Sequence, residues 1–125
     1  MKLRIKGNSL RLRVGKSEVS RLLDTGRIEE TIHFSARQDA HWTYALEHAA
    51  GKTSISLRYQ AGEVTVVLST HAARAWAEGE QVGIEGVLET GQEPLTVLVE
   101  KDFACLDRND ESNQDTFPNP KDGPC

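Results

Sequence analysis

KLRIKGNSLRLRVGKSEVSRLLDTGRIEETIHF, residues 2–34, decides how this chain is read, because its apolar pattern recurs without a gap 54 positions later. Leu3, Ile5, Leu10, Leu12, Val14, Val19, Leu22, Leu23, Ile28 and Phe34 fall opposite Leu57, Tyr59, Val64, Val66, Leu68, Ala73, Trp76, Ala77, Val82 and Leu88. Hardly any pair is an identity, yet each keeps an apolar residue where the same strand or helix face needs one. Such recurrence is how a repeated supersecondary unit reads.

Within the first copy, Lys2 to Lys6 alternates cations with Leu3 and Ile5. The parity then flips across Gly7-Asn8 to give an apolar Leu10, Leu12, Val14 face, as a tight turn or bulge demands. Ser17 is placed to cap a helix of about two turns, with Glu18 in its first turn, Val19, Leu22 and Leu23 inward, and Gly26 as the stop. Strands follow at 28–34 and 42–46. The second copy repeats the order: strands 53–59 and 63–68 about Ala61-Gly62, a helix capped by Ser69 or Thr70, then strands 81–89 and 94–100. Each unit is ββαββ, unit one at 2–48 and unit two at 53–103.

These elements imply an α+β fold, a single pseudo-symmetric β-barrel domain over 1–106 with about eight mostly antiparallel strands and two short helices. Residues 107–125 form an acidic, Pro/Asn-rich C-terminal tail without periodicity. With 125 residues, 38% apolar and 27% charged, the chain has the composition of a soluble globular domain. No apolar run approaches the roughly 20 residues that span a bilayer. Its start alternates charge with hydrophobe where a signal peptide would be apolar, so the expectation is a cytoplasmic protein with no membrane partner.

Charge divides sharply along the chain. Residues 1–27 carry eight Lys/Arg against two acidic residues, net +6, whereas residues 28–125 carry seven against seventeen, net −10. A polyanion-facing surface at one end and an acidic tail at the other is one reading; strands showing their charges to water is the other.

Gly7-Asn8-Ser9-Leu10-Arg11-Leu12-Arg13-Val14 resembles the GNS-x-x-x-R-I/V-P turn-and-strand of the AbrB/MazE-type swapped-hairpin proteins, which include bacterial transition-state regulators and antitoxins. Ala75 to Val82 resembles their helix end followed by a G-D-x-V strand. The resemblance implies that a chain with two units builds the pseudo-dimer that two chains build in that family. It also implies that Arg4, Asn8, Ser9 and Arg13 face DNA, with Lys6 and Arg11 as neighbours. Gly15 stands in place of the family's proline and Lys6 in place of its Trp. Unit two keeps Arg58 but has Gly62, Glu63 and Val67 in place of the rest, so only one half presents cations. Weak DNA binding follows, or binding by a homodimer of the whole chain, since duplex readers use two equivalent half-site contacts. The whole chain, from KLRIKGNS-RLR to EKDFACLDR and FPNP, also resembles a family of short bacterial proteins to which no function has been assigned.

Catalytic signatures are missing. Gly15-Lys16-Ser17 and Gly51-Lys52-Thr53 imitate the end of a phosphate-binding loop, but Leu10 and Leu46 occupy the place of its first glycine. His33, His41, His48 and His71 lack close metal-ligand spacing and read as surface or half-buried imidazoles. Cys105 and Cys125 could join a histidine in a metal site or form a disulfide, although reduced thiols are the simpler reading. Asp107, Asn109, Glu111, Asn113 and Asp115 imitate the start of a calcium loop whose glycine and glutamate positions hold Ser112 and Pro118. Glu30 is the one polar residue on an apolar strand face, explained by a rim position or by pairing with Arg13. The expectation is a non-enzymatic binding module without cofactor or metal, nucleic-acid-associated or antitoxin-like through its basic strands, with the tail engaging a protein partner. The alternatives are a protein-interaction domain without nucleic acid, and a metal protein using Cys105, Cys125 and a histidine.

Overall fold

A computed structural model describes residues 1–104 and 115–118. Chain order is β1 (Lys2–Ile5), β2 (Ser9–Val14), α1 (Lys16–Thr25), β3 (Arg27–His33), β4 (His41–Ala49), β5 (Ile55–Gln60), β6 (Glu63–Ser69), α2 (Thr70–Glu78), β7 (Gly83–Leu88) and β8 (Leu95–Lys101). Both halves are therefore ββαββ. Cys105, Cys125 and most of the 107–125 tail lie outside the described residues.

The strands form two four-stranded sheets: sheet I, in the order β1-β2-β8-β7, and sheet II, in the order β3-β4-β6-β5. Hairpin pairs are antiparallel, while the central ladders β2–β8 and β4–β6 are parallel and join one unit to the other. Exchanging the units carries sheet I onto sheet II, so each sheet takes one hairpin from each unit. Among the described residues no ladder joins the two sheets, so the expected closed barrel is present here as two sheets with a shared core. The core could not form from one unit, because each unit's apolar strand faces belong to both sheets.

That core is itself a repeat. Leu12, Val14, Val19 and Leu22 are buried, and so are Val66, Leu68, Ala73 and Trp76, each 54 positions on. Full burial of a side chain of this kind contributes about 1.5–3 kcal/mol. Beyond the helices the gap-free spacing fails. Ile28 pairs with Leu46 and Ile84 with Val99, so β3 and β7 are related by 56 positions and β4 and β8 by 53. Val82, expected opposite Ile28, is 46% exposed, and Ile84 fills the core position at 5%. The connection after α2 is longer, which moves the register without disturbing the face.

Helix α1 is capped differently from the expectation. Gly15, not Ser17, is the N-cap; Glu18 Oε1 accepts the Gly15 N–H at 2.9 Å. Asp115 supplies the missing side chain from the far end of the protein, accepting from Ser17 N at 2.9 Å and Ser17 Oγ at 2.7 Å. A capping residue must be near in space, not in sequence. Gly26 ends the helix as expected, its N–H returning to the Leu22 carbonyl at 2.9 Å. In α2 Ser69 caps in the ordinary way, accepting from Ala72 N at 3.1 Å. The helices pack on each other, α1 also against β3 and β4, and α2 against β4, β6 and β7. No helix among the described residues is long and apolar enough to cross a membrane.

Candidate nucleic-acid interface

The β1–β2 hairpin closes through a two-residue loop in which Lys6 N donates to Ser9 O at 3.2 Å. Gly7, with φ of 54°, takes the first central position, where a type II′ hairpin turn requires positive φ. Alternation then decides what faces outward. Leu3 and Leu12 point inward with Val99, while Lys2 pairs with Arg13 and Arg4 with Arg11 on the opposite face. Five cations from β1, its turn and β2 thus share one surface: Lys2, Arg4, Lys6, Arg11 and Arg13.

Their surroundings sort them. Lys2 pairs with Asp102 at 2.8 Å. Arg11 and Arg13 both use Nε on the same oxygen of Glu100, at 2.6 and 2.9 Å, leaving their Nη groups without a partner among the described residues. One carboxylate cannot neutralise two guanidiniums. Arg4 and Lys6 are exposed and have no ion-pair partner among the described residues. With Ser9 and Arg11 they line an open groove of about 270 Å³, large enough for a phosphate group and its water.

Asn8, a DNA-facing position by the motif resemblance, is engaged at the hairpin tip. Its amide donates to the carbonyls of Glu93 at 2.9 Å and Pro94 at 3.0 Å, tying the hairpin tip to the β7–β8 turn. Ser9 Oγ donates to the Lys6 carbonyl at 2.5 Å. Asn8 holds the turn, and Arg4, Lys6 and Arg11 supply the charge.

The equivalent surface of sheet II is closed. Arg27 bonds Glu63 at 2.7 Å, Glu29 at 3.0 Å and Glu47 at 3.0 Å, and Arg58 forks onto Glu47 with two contacts of 3.1 Å. Burial opposes the charge on Arg27, but hydrogen bonds to Glu63, Glu29 and Glu47 outweigh it and hold the guanidinium above its ordinary range. The hydrogen bond from Arg58 leads in holding Glu47 below the usual carboxylate value, and that from Arg27 does so for Glu63. Thr43, Ala45 and Thr65 are buried beneath this network although they face outward.

Other residues singled out in the sequence are also accounted for. Glu30 is an exposed rim residue; it accepts from the Tyr44 hydroxyl at 3.2 Å and lies 3.3 Å from the N-terminal amine, not beside Arg13. Burial first, then Glu30, pushes the Tyr44 phenol up to about 12. Gly15-Lys16-Ser17 does open a helix, but the Asp115 carboxylate occupies the place an anion would take. His48 bonds Thr70 Oγ1 through Nδ1 at 3.0 Å, and its buried Nε2 has no partner among the described residues. His71 is exposed on α2. His33 and His41, unremarkable by spacing, stand directly opposite each other on β3 and β4; pairing the hairpin from its turn at 35–40 is the signal that finds them. No group of three His, Cys, Asp or Glu converges among the described residues.

A family model described as a family of unknown function, DUF7009, matches residues 1–121. The chain belongs to the DUF7009 family. This is the whole-chain kinship expected from the KLRIKGNS-RLR start and the EKDFACLDR and FPNP end. No curated protein and no solved structure matches the chain.

Proposed function

We propose that this DUF7009 protein is a non-enzymatic binding module of the bacterial cytoplasm that holds nucleic-acid phosphates on the outer face of sheet I. The observation that carries the reading is the contrast between two faces built on one repeat. Where sheet I has Arg4, Lys6, Ser9, Arg11 and Arg13, sheet II has Arg58, Gln60, Glu63, Thr65 and Val67. Sheet II keeps the same strand geometry with every arginine matched by carboxylate, so the fold does not require the surplus cations of sheet I. An unneutralised cationic strip beside an open groove is the electrostatic footprint of a polyanion binder. Arginine forks suit phosphate oxygens and lysine adds a compact charge.

The exchange of hairpins between units supports the AbrB/MazE-type kinship. On that reading the two sheets are halves of a flattened barrel: β5 lies against β7 on one side, and the Tyr44 hydroxyl lies 3.3 Å from the Met1 carbonyl oxygen on the other. A single cationic face makes binding weak, and a homodimer would supply the second. In an antitoxin-like role the acidic C-terminal tail engages a basic protein partner.

The test is fluorescence anisotropy of a labelled DNA duplex against salt. Three phosphates met by Arg4, Lys6 and Arg11 predict a roughly 40-fold loss of affinity between about 50 and 200 mM salt, from a slope near −0.9 per phosphate. The double variant Arg4→Glu/Lys6→Glu should abolish retention. No binding at the lower salt, or binding indifferent to that variant, overturns the reading. Exposed Ile32, Phe34 and Tyr59, at 44%, 68% and 68%, favour a second reading, a protein-interaction domain without nucleic acid, which predicts that negative result.

A further inference from the structure

We infer that His33 and His41 form a site for a divalent transition-metal ion, taken up by one imidazole from each strand of the β3–β4 hairpin. The two residues are direct partners in the antiparallel register. Phe34 N donates to Ala40 O at 2.7 Å, which makes the next pair inward, His33 and His41, a non-hydrogen-bonded one. At such positions side chains approach most closely, with Cα atoms about 4.5 Å apart. The rings already lie with centroids 6.2 Å apart and planes inclined at 47°. Two nitrogens each about 2.0–2.1 Å from a zinc-sized ion need rings slightly closer than this, a change that rotation of exposed side chains supplies without moving the backbone.

His41 carries the feature that points to a metal. Its Nδ1 lies 2.6 Å from the Gln38 carbonyl oxygen. A carbonyl only accepts, so Nδ1 bears the proton and Nε2 presents its lone pair. Metal-ligating histidines are oriented in this way, donating their other N–H to a carbonyl or carboxylate. The pair opens on a groove of about 480 Å³ lined also by Thr31, Ser35, Arg37 and Thr43. Arg37 is the one opposing charge there, and Asp39 pairs with it at 2.8 Å. Imidazole donors select zinc, copper or nickel over magnesium or calcium. Two protein ligands leave the remaining positions to water or to a donor from another molecule.

The test titrates zinc into the full chain carrying Cys105→Ser and Cys125→Ser, so that thiolates do not compete, against a chromophoric chelator. One ion per chain is expected. His33→Asn and His41→Asn should each weaken binding by at least about tenfold, the scale set by losses around metal-bound histidines. Both positions are exposed, so an unchanged melting temperature without metal certifies the fold. Ring-nitrogen NMR signals of His33 and His41 should shift with zinc, and those of His48 and His71 should not. No saturable binding, unchanged affinity in His33→Asn and His41→Asn, or shifts at His48 or His71 in place of the hairpin pair would each overturn the assignment.

Discussion

A methyl group on Gly15 would sit 2.5 Å from Asp115 Oδ2 and 2.8 Å from its carbonyl oxygen. The start of α1 is therefore shaped for residue 115, whose carboxylate and carbonyl take the first helical N–H groups. Asp115→Ala should lower stability by about 1 kcal/mol, as lost caps do, read as a shift in denaturant midpoint. Gly15→Ala should lower it as well, and the double variant by less than the sum, because both changes break one contact; full additivity would contradict the shared contact. Among local residues only Ser17 offers a capping side chain here, whereas the capping carboxylate comes from Asp115. Nothing in the chain near Gly15 marks a partner 100 positions away. The outward charge of Arg4, Lys6, Arg11 and Arg13, by contrast, was legible from alternation alone, while the anchoring role of Asn8 needed the β7–β8 turn beside it.

Strands and their ladders set the next scale. Glu47 and Glu63 are held below the ordinary 4.5 by hydrogen bonds from Arg58 and Arg27 respectively. A carboxylate depressed in the folded state stabilises fully above its unfolded value and loses that contribution as pH falls through the folded one. The melting temperature should therefore drop on acidification below about pH 4.5, and Arg27→Met should flatten the dependence; an unchanged acid profile in that variant would contradict the network. Where β7 passes β5, a Cβ on Gly86 would lie 2.4 Å from Ile55 Cγ2. Gly86→Ala should cost about 1–3 kcal/mol, as overpacking does, and Ile55→Ala should recover part of it in a double-variant denaturation series. Period-two alternation identified all eight strands, but it carries no information on partners. Ile5, Phe34, Tyr59 and Val82, placed on apolar faces by that alternation, are exposed, and the parallel β2–β8 and β4–β6 ladders, the two-residue slip after α2 and the opposition of His33 and His41 emerged only with the register.

At the scale of the whole molecule, the repeat carries different charge on two copies of one surface. Each central ladder joins a strand of unit one to a strand of unit two, so fragments 1–50 and 51–125 should each be unfolded alone and regain a cooperative melting transition when mixed. A fragment that folds alone would contradict the shared core. The duplication was legible because burial constrains both copies alike. The asymmetry between its two faces was legible only as charge, since Glu63 and Val67 show the loss of cations but not the closed network that replaces them. The most direct test is two-dimensional amide NMR of the full chain titrated with a short DNA duplex at low salt. The account predicts perturbations concentrated at residues 2–13, largest around Arg4, Lys6 and Ser9, and fading as salt is raised. Perturbations centred on sheet II, or none at any salt, would contradict it.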